Sequence, residues 1–244
     1  MLEDPFILLV LALSAFVHGA FGFGFPLLAT PLLVLGLEMR TAVMLTLLPN
    51  ICINLFSILG ETHWRRAMQA FWPIPAFTIV GSFIGTQVLL NVDPEPFRLL
   101  LAAVLVAWLI SDSLRPAAKP SRWPPWALAL FGLTLGLLAG VVNVFSPLVV
   151  AFALHTRMPQ KLMVATFNLT FITSKSGQLI GFASSGALVW ETLRAALLAL
   201  PLVLLALWLG IRLRRRLPVT LFRQLLRAAL WVMSVALILD VLLR

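Results

Sequence analysis

Charge is what this chain has least of. Only 11% of its 244 residues are Asp, Glu, Lys or Arg, whereas a soluble domain carries about 25%. There is no tyrosine and a single cysteine, Cys52, so an internal disulfide is excluded. Cys52 lies in an apolar run and reads as a small packing residue. The chain contains no His-Glu-x-x-His, no Gly-x-Ser-x-Gly, no cysteine pair and no phosphate loop. Neither an enzyme nor a metal or cofactor site is therefore expected. No stretch of about 30 residues is loop-like, and a separate soluble domain is not expected either.

What is present is hydrophobicity, at 61% of residues. In water such a chain would expose apolar patches that soluble monomers do not tolerate. In lipid it would not, so the chain reads as a polytopic integral membrane protein. The net charge is +9. On a soluble protein this would suggest nucleic acid. Here the basic residues fall in short runs between apolar segments, at Arg65-Arg66, Arg115 to Arg122 and Arg212 to Arg216. That is the distribution of a topology signal. The first residues, Met1-Leu2-Glu3-Asp4-Pro5, are acidic where a signal peptide is basic, so the first segment is expected to be retained.

Apolar segments run over 6–37, 41–59, 70–90, 97–114, 125–154, 162–183, 187–211 and 221–243. Most approach the ~20 residues that a helix needs to cross the bilayer. Helices are expected because lipid offers backbone groups no partner. The first and fifth segments are longer and are interrupted. The first breaks at Gly22-Phe23-Gly24-Phe25-Pro26, the fifth at Gly140-Val141-Val142-Asn143-Val144-Phe145-Ser146-Pro147. Gly lets the backbone leave helical geometry, and Pro cannot donate to the preceding turn.

Further pairings follow the breaks in order: Trp64 and Pro75 with Trp190 and Pro201, Phe97-Arg98 with Phe222-Arg223, and Asp112 with Asp240. They predict two homologous halves, 1–118 and 119–244, each a broken helix pair followed by three transmembrane helices. If each broken pair is re-entrant, the halves are inverted. Apart from Lys175, the basic residues then divide 13 to 4 between the two sides; eight plain spans divide them 10 to 7. The sharper division favours inverted repeats with the N-terminus outside. Inverted repeats with broken helices are a recurrent plan of secondary transporters.

Candidate site residues cluster at the breaks. A half-helix starting at Pro26 or Pro147 would point free N–H groups and partial positive charge into the membrane, and Ser146 is placed to cap the second. The alternative is a packing kink. Lys175 lies about 13 residues into an apolar segment with no carboxylate within two turns. A charge there costs about 3 kcal/mol or more, so it must bind something, pair or snorkel. Thr46, Asn50 and Asn54 share one helix face, as do Thr166, Thr170, Ser174 and Gln178. These could wrap a polar substrate or simply bond helix to helix. His18 precedes the first break and is the candidate for proton coupling, with a structural role as the alternative.

The run HGAFGFGFPLLATPLL, followed by RTAVMLTLLPNICINLFS, resembles the first and second segments of the TauE/SafE sulfite exporter family, within the 4-toluene sulfonate uptake permeases. The duplicated layout is similar over nearly the whole chain. The resemblance implies a bacterial inner-membrane carrier of sulfite, sulfoacetate or other organosulfonates. The family's glycine-rich turn falls on Gly19, Gly22, Gly24 and Pro26. Phe23 and Phe25 depart from it, as do Asn143 and Phe145 in the second half, and they narrow the site toward an anion with an organic part.

The expected function is thus a secondary transporter, in the export direction, for a small sulfur-containing anion. An anion channel and a non-transporting scaffold remain alternatives. Substrate-binding candidates are Lys175, Asn50, Asn54, Asn143, Ser146, Gln178 and Gly24, with Phe23, Phe25 and Phe145 lining the cavity. Expected partners are the anion and the lipid bilayer, with a homodimer as one arrangement, and not nucleic acid. The N-terminus is expected in the periplasm.

Overall fold

The computed structural model describes residues 4–59, 63–93, 96–97, 99–100, 103, 106, 123–156, 158–213, 231 and 235. The expected boundary at 118/119, most of the fourth and eighth apolar segments, and the pairings at Asp112, Asp240 and Phe222-Arg223 lie outside them. So do Arg98, Arg157, Arg244 and the basic residues of 115–122 and 214–227.

The described elements are helical: α1 (Pro5–Phe21), α2 (Phe25–Val34), α3 (Met39–Leu59), α4 (Trp64–Phe71), α5 (Pro73–Asn91), α6 (Pro125–Val142), α7 (Ser146–His155), α8 (Gln160–Ser184) and α9 (Trp190–Leu213). The protein is an all-α, multi-pass membrane protein. Four helices, α3, α5, α6 and α9, are long and apolar enough to cross a bilayer. With 25 residues α8 is longer than any of them, and it carries the polar series Thr166, Asn168, Thr170, Ser174, Lys175 and Gln178, every one buried. It is a polar helix shielded by apolar neighbours. Outward-facing Leu9, Leu13, Leu130, Leu197 and Leu205 present the lipid surface. A separate short helix, α4, leads into the third apolar segment, and only its Ala67 is buried; Pro73 then starts α5. A helix so polar on one side suits the membrane surface.

Both interrupted segments double back. In α1, Asp4 caps the N-terminus by accepting from the Phe6 amide at 2.9 Å. The helix spans 17 residues, about 25 Å, which falls short of the ~30 Å core. A Cβ on Gly36, just past α2, would sit 3.9 Å from the ring of Phe6 at the start of α1. The chain therefore leaves where it entered. At the second hairpin Trp123, just before α6, lies 5.1 Å from Phe152 and 6.2 Å from His155, the last residue of α7, between ring centroids.

The two hairpins enter from opposite faces. Arg40, at the start of α3, donates to the carbonyls of Leu89 (2.9 Å) and Val92 (3.2 Å) at the end of α5. The end of α5 thus shares a face with the first hairpin's mouth. Helices α5 and α6 run parallel, with Gly132 against Ile74, Gly136 against Thr78 and Gly140 against Gly85. The mouth of the second hairpin is therefore at the start of α5, on the other face. The α5–α6 seam is glycine-lined because the backbones touch: a Cβ on Gly140 would come 2.6 Å from the Gly85 Cα. Gly19 of α1 and Gly210 of α9 meet in the same way.

Charge follows this division. Among the described residues the acids Asp4, Glu38, Asp93 and Glu191 lie toward the first face, with Arg40 and Arg194. Arg65, Arg66, Lys161 and Arg212 lie toward the second, with no acid among the described residues. Arg65 and Arg212 each stack over a tryptophan there, Trp64 and Trp208.

Candidate functional site

Each hairpin turns on a left-handed residue deep in the bundle. Helix α1 ends at Gly22 (φ 82°), whose amide donates to the His18 carbonyl at 2.6 Å; Gly24 (φ 110°) then caps α2. Helix α6 ends at Asn143 (φ 62°), whose amide donates to Ala139 at 3.0 Å. Asn143 is the one non-glycine at positive φ among the described residues. Asparagine tolerates that conformation better than most side chains. Gly24 is buried, yet a Cβ there would meet no atom within 4 Å, so unfilled space adjoins the first break.

Lys175 is fully buried and holds no carboxylate among the described residues. Its Nζ donates to the side-chain oxygens of Asn143 and Gln178. Asn143 in turn donates through Nδ2 to Thr30 on α2 and Thr46 on α3, both at 2.8 Å. Gln178 donates to the Ala139 carbonyl at 2.5 Å. One lysine and one asparagine thus join α2, α3, α6 and α8.

A second polar cluster surrounds the first break. Asn168 on α8 donates to the Gly22 carbonyl at 3.1 Å and is a neighbour of His18. The His18 ring lies 3.3 Å from the Ser57 hydroxyl on α3. Asn54 donates to the Asn50 carbonyl (2.7 Å) and side-chain oxygen, leaving Asn50 Nδ2 and Asn54 Oδ1 buried without a partner. His18 Nδ1, Asn168 Oδ1 and Ser146 Oγ are likewise unpartnered. The Phe145 carbonyl accepts from Leu148 and Val149, so the capping position of α7 falls on Phe145 and not on Ser146. Ser146 is already the helix's first residue, and its hydroxyl caps nothing.

Two of the three break phenylalanines rest on α8. Phe23 packs edge-on against Phe167 (5.1 Å), and Phe145 lies against Phe171 (4.5 Å). Phe25 points instead into the apolar core.

A broken-hairpin membrane bundle around a carboxylate-free lysine agrees with the comparison of sequences. The profile of the family described as "Sulfite exporter TauE/SafE" matches residues 7–237. The chain belongs to that family. The TauE/SafE family is one of transporters for sulfite-type sulfur anions and not one of enzymes, so this protein handles a small anion within the bilayer. No curated protein and no solved structure matches it closely enough to count as a relative.

In this TauE/SafE protein, three of the sequence candidates, Lys175, Asn143 and Gln178, stand in direct contact. Asn50 and Asn54 bond each other one and two turns along α3 from Thr46. Phe167 and Phe171 went unrecognised in the sequence, although their four-residue spacing ahead of Lys175 puts all three on one helix face. Thr30 and Ser57 carried no such signal.

Proposed function

We propose that this protein is a secondary transporter that exports a small sulfur-containing anion, sulfite or an organosulfonate such as sulfoacetate, across the bacterial inner membrane. The observation that carries this reading is Lys175, buried and bonded to two amide oxygens. Amides leave the positive charge of a lysine without a counter-ion, and a transported anion supplies one. Gln178 sits beside Lys175 to bond a substrate oxygen, Asn50 Nδ2 and Ser146 Oγ offer unused donors, and Asn54 holds Asn50 in place. The space beside Gly24 gives room, while Phe23 and Phe145 give apolar walls suited to an organic group. Phe25 is the third lining candidate and, like Phe145, is fully buried beside its break.

The reading includes two inverted halves, supported by the opposite entry of the two hairpins. It puts the N-terminal face in the periplasm, because the face bearing Arg65, Arg66, Lys161 and Arg212 holds more of the described basic residues and so matches the cytoplasmic side. His18 is the candidate for proton coupling, in which case His18→Gln transport no longer responds to an imposed pH gradient.

Reconstituted vesicles test the assignment. Wild-type protein is expected to give saturable flux of labelled sulfite or sulfoacetate. Lys175→Ala should lower it about tenfold or more, because a hydrogen bond to a charged group contributes about 1.5–3 kcal/mol. Equal flux in both proteins removes the lysine from the mechanism. Absence of saturable flux in the wild type overturns the reading.

A further inference from the structure

We infer that Asn143 is a stand-in for the substrate: in the empty site its Oδ1 occupies Lys175, and the transported anion takes that oxygen's place. The inference rests on the proposed role of Lys175 as the anion contact.

Asn143 has no capacity left to bind an anion directly. A primary amide offers two N–H donors and one oxygen with two lone pairs. Both donors are used, on Thr30 and Thr46. The oxygen accepts from Lys175 and faces Gln178 Nε2 at 3.4 Å. An arriving anion would have to break the bonds to α2 and α3 before this amide could donate to it.

Lys175 is in a different position. Two of its three N–H groups are engaged, both with neutral amide oxygens. An anionic oxygen makes a shorter and roughly twofold stronger bond to an ammonium than a neutral one does. Of the two amides, Gln178 belongs to the same helix as the lysine and moves with it. Asn143 belongs to the break of α6 and is the partner that can be left behind. Exchange of Asn143 for the anion therefore removes the lysine's link from α8 to the second hairpin, and through that amide to α2 and α3, while Gln178 stays on the Ala139 carbonyl. Release of the anion lets Asn143 return.

This arrangement predicts the opposite sign from a direct substrate ligand. Asn143→Gly keeps the left-handed backbone and deletes the competing oxygen. The affinity of the purified protein for sulfite or sulfoacetate, read by thermal shift and as KM in vesicles, should rise about tenfold, the size of one such bond. Turnover should fall, because nothing displaces the bound anion. Weaker binding in Asn143→Gly would mean that the amide touches the anion, and would overturn the inference. Asn143→Asp keeps size and backbone preference but offers Lys175 a permanent counter-ion. Its empty form should unfold at a higher temperature than wild type, and its response to either probe should drop by about two powers of ten, as for about 3 kcal/mol.

Should Asn143→Gly fail to fold, Asn143→Asp decides alone. An unchanged response, or a lower unfolding temperature, overturns the inference. The wild type separates this failure from that of the functional reading: if it neither binds nor moves either probe, the transport assignment falls; if it does and the variants go the wrong way, only the stand-in falls.

Discussion

Asn168 of α8 donates to the carbonyl of Gly22 at 3.1 Å, across 146 residues of sequence. Asn143 makes the matching contact at the other break, to Thr46 of α3 at 2.8 Å. Each hairpin turn is thus held by the long helix that follows the other hairpin. Asn168→Ala should lower stability by about 1 kcal/mol, within the ~0.6–2 kcal/mol of interhelical bonds in membranes. The apparent unfolding temperature in detergent should fall by about 2–4 °C for a chain of this size. An unchanged value would mean that packing alone fixes the first break.

Gly24 and Gly36 separate backbone strain from crowding. Gly24 has φ 110° with open space around its missing Cβ, and the nearest neighbour of a Cβ at Gly36 is 3.9 Å away. Gly24→Ala should destabilise by about 1–3 kcal/mol from backbone strain alone. Gly36→Ala should be close to neutral. Thermal unfolding of the two variants measures the contrast, and equal behaviour would remove strain as the cause.

The α5–α6 seam should tolerate no side chain. A Cβ on Gly140 meets the backbone of Gly85 and Ser82 at 2.6 Å, and backbone cannot swing aside. Gly140→Ala should destabilise by about 3 kcal/mol or more, the upper range for overpacking. It should reduce the yield of monodisperse protein in size-exclusion chromatography. A wild-type elution profile and melting temperature would show that the helices can separate.

Topology is open to a direct measurement. Reporters fused after Arg40 and after Arg157 are expected on opposite sides of the membrane, the first outside and the second inside. Reporters on the same side would contradict inverted halves.

Several features are legible in the sequence. The scarcity of charge and the long apolar runs require lipid, because every backbone group must then be bonded within a helix. The breaks were legible at Gly22 to Pro26 and at Gly140 to Pro147, because Gly and Pro act on the local backbone. Lys175 stood out because a charge in an apolar run needs an explanation wherever the chain goes. A four-residue spacing gave the faces of α3 and α8.

The rest was decided by tertiary structure. Gly and Pro tell where a helix stops, but not whether the chain continues or turns back. Phe6 beside Gly36, and Trp123 beside His155, decide that. The partners of Lys175 could not be read from its neighbours in sequence, since Asn143 is 32 residues away and acts through Thr30, a further 113 away. Sequence alone dictates what the local backbone and the lipid demand. Which polar atoms meet inside depends on how the hairpins cross, and only the packed bundle determines that.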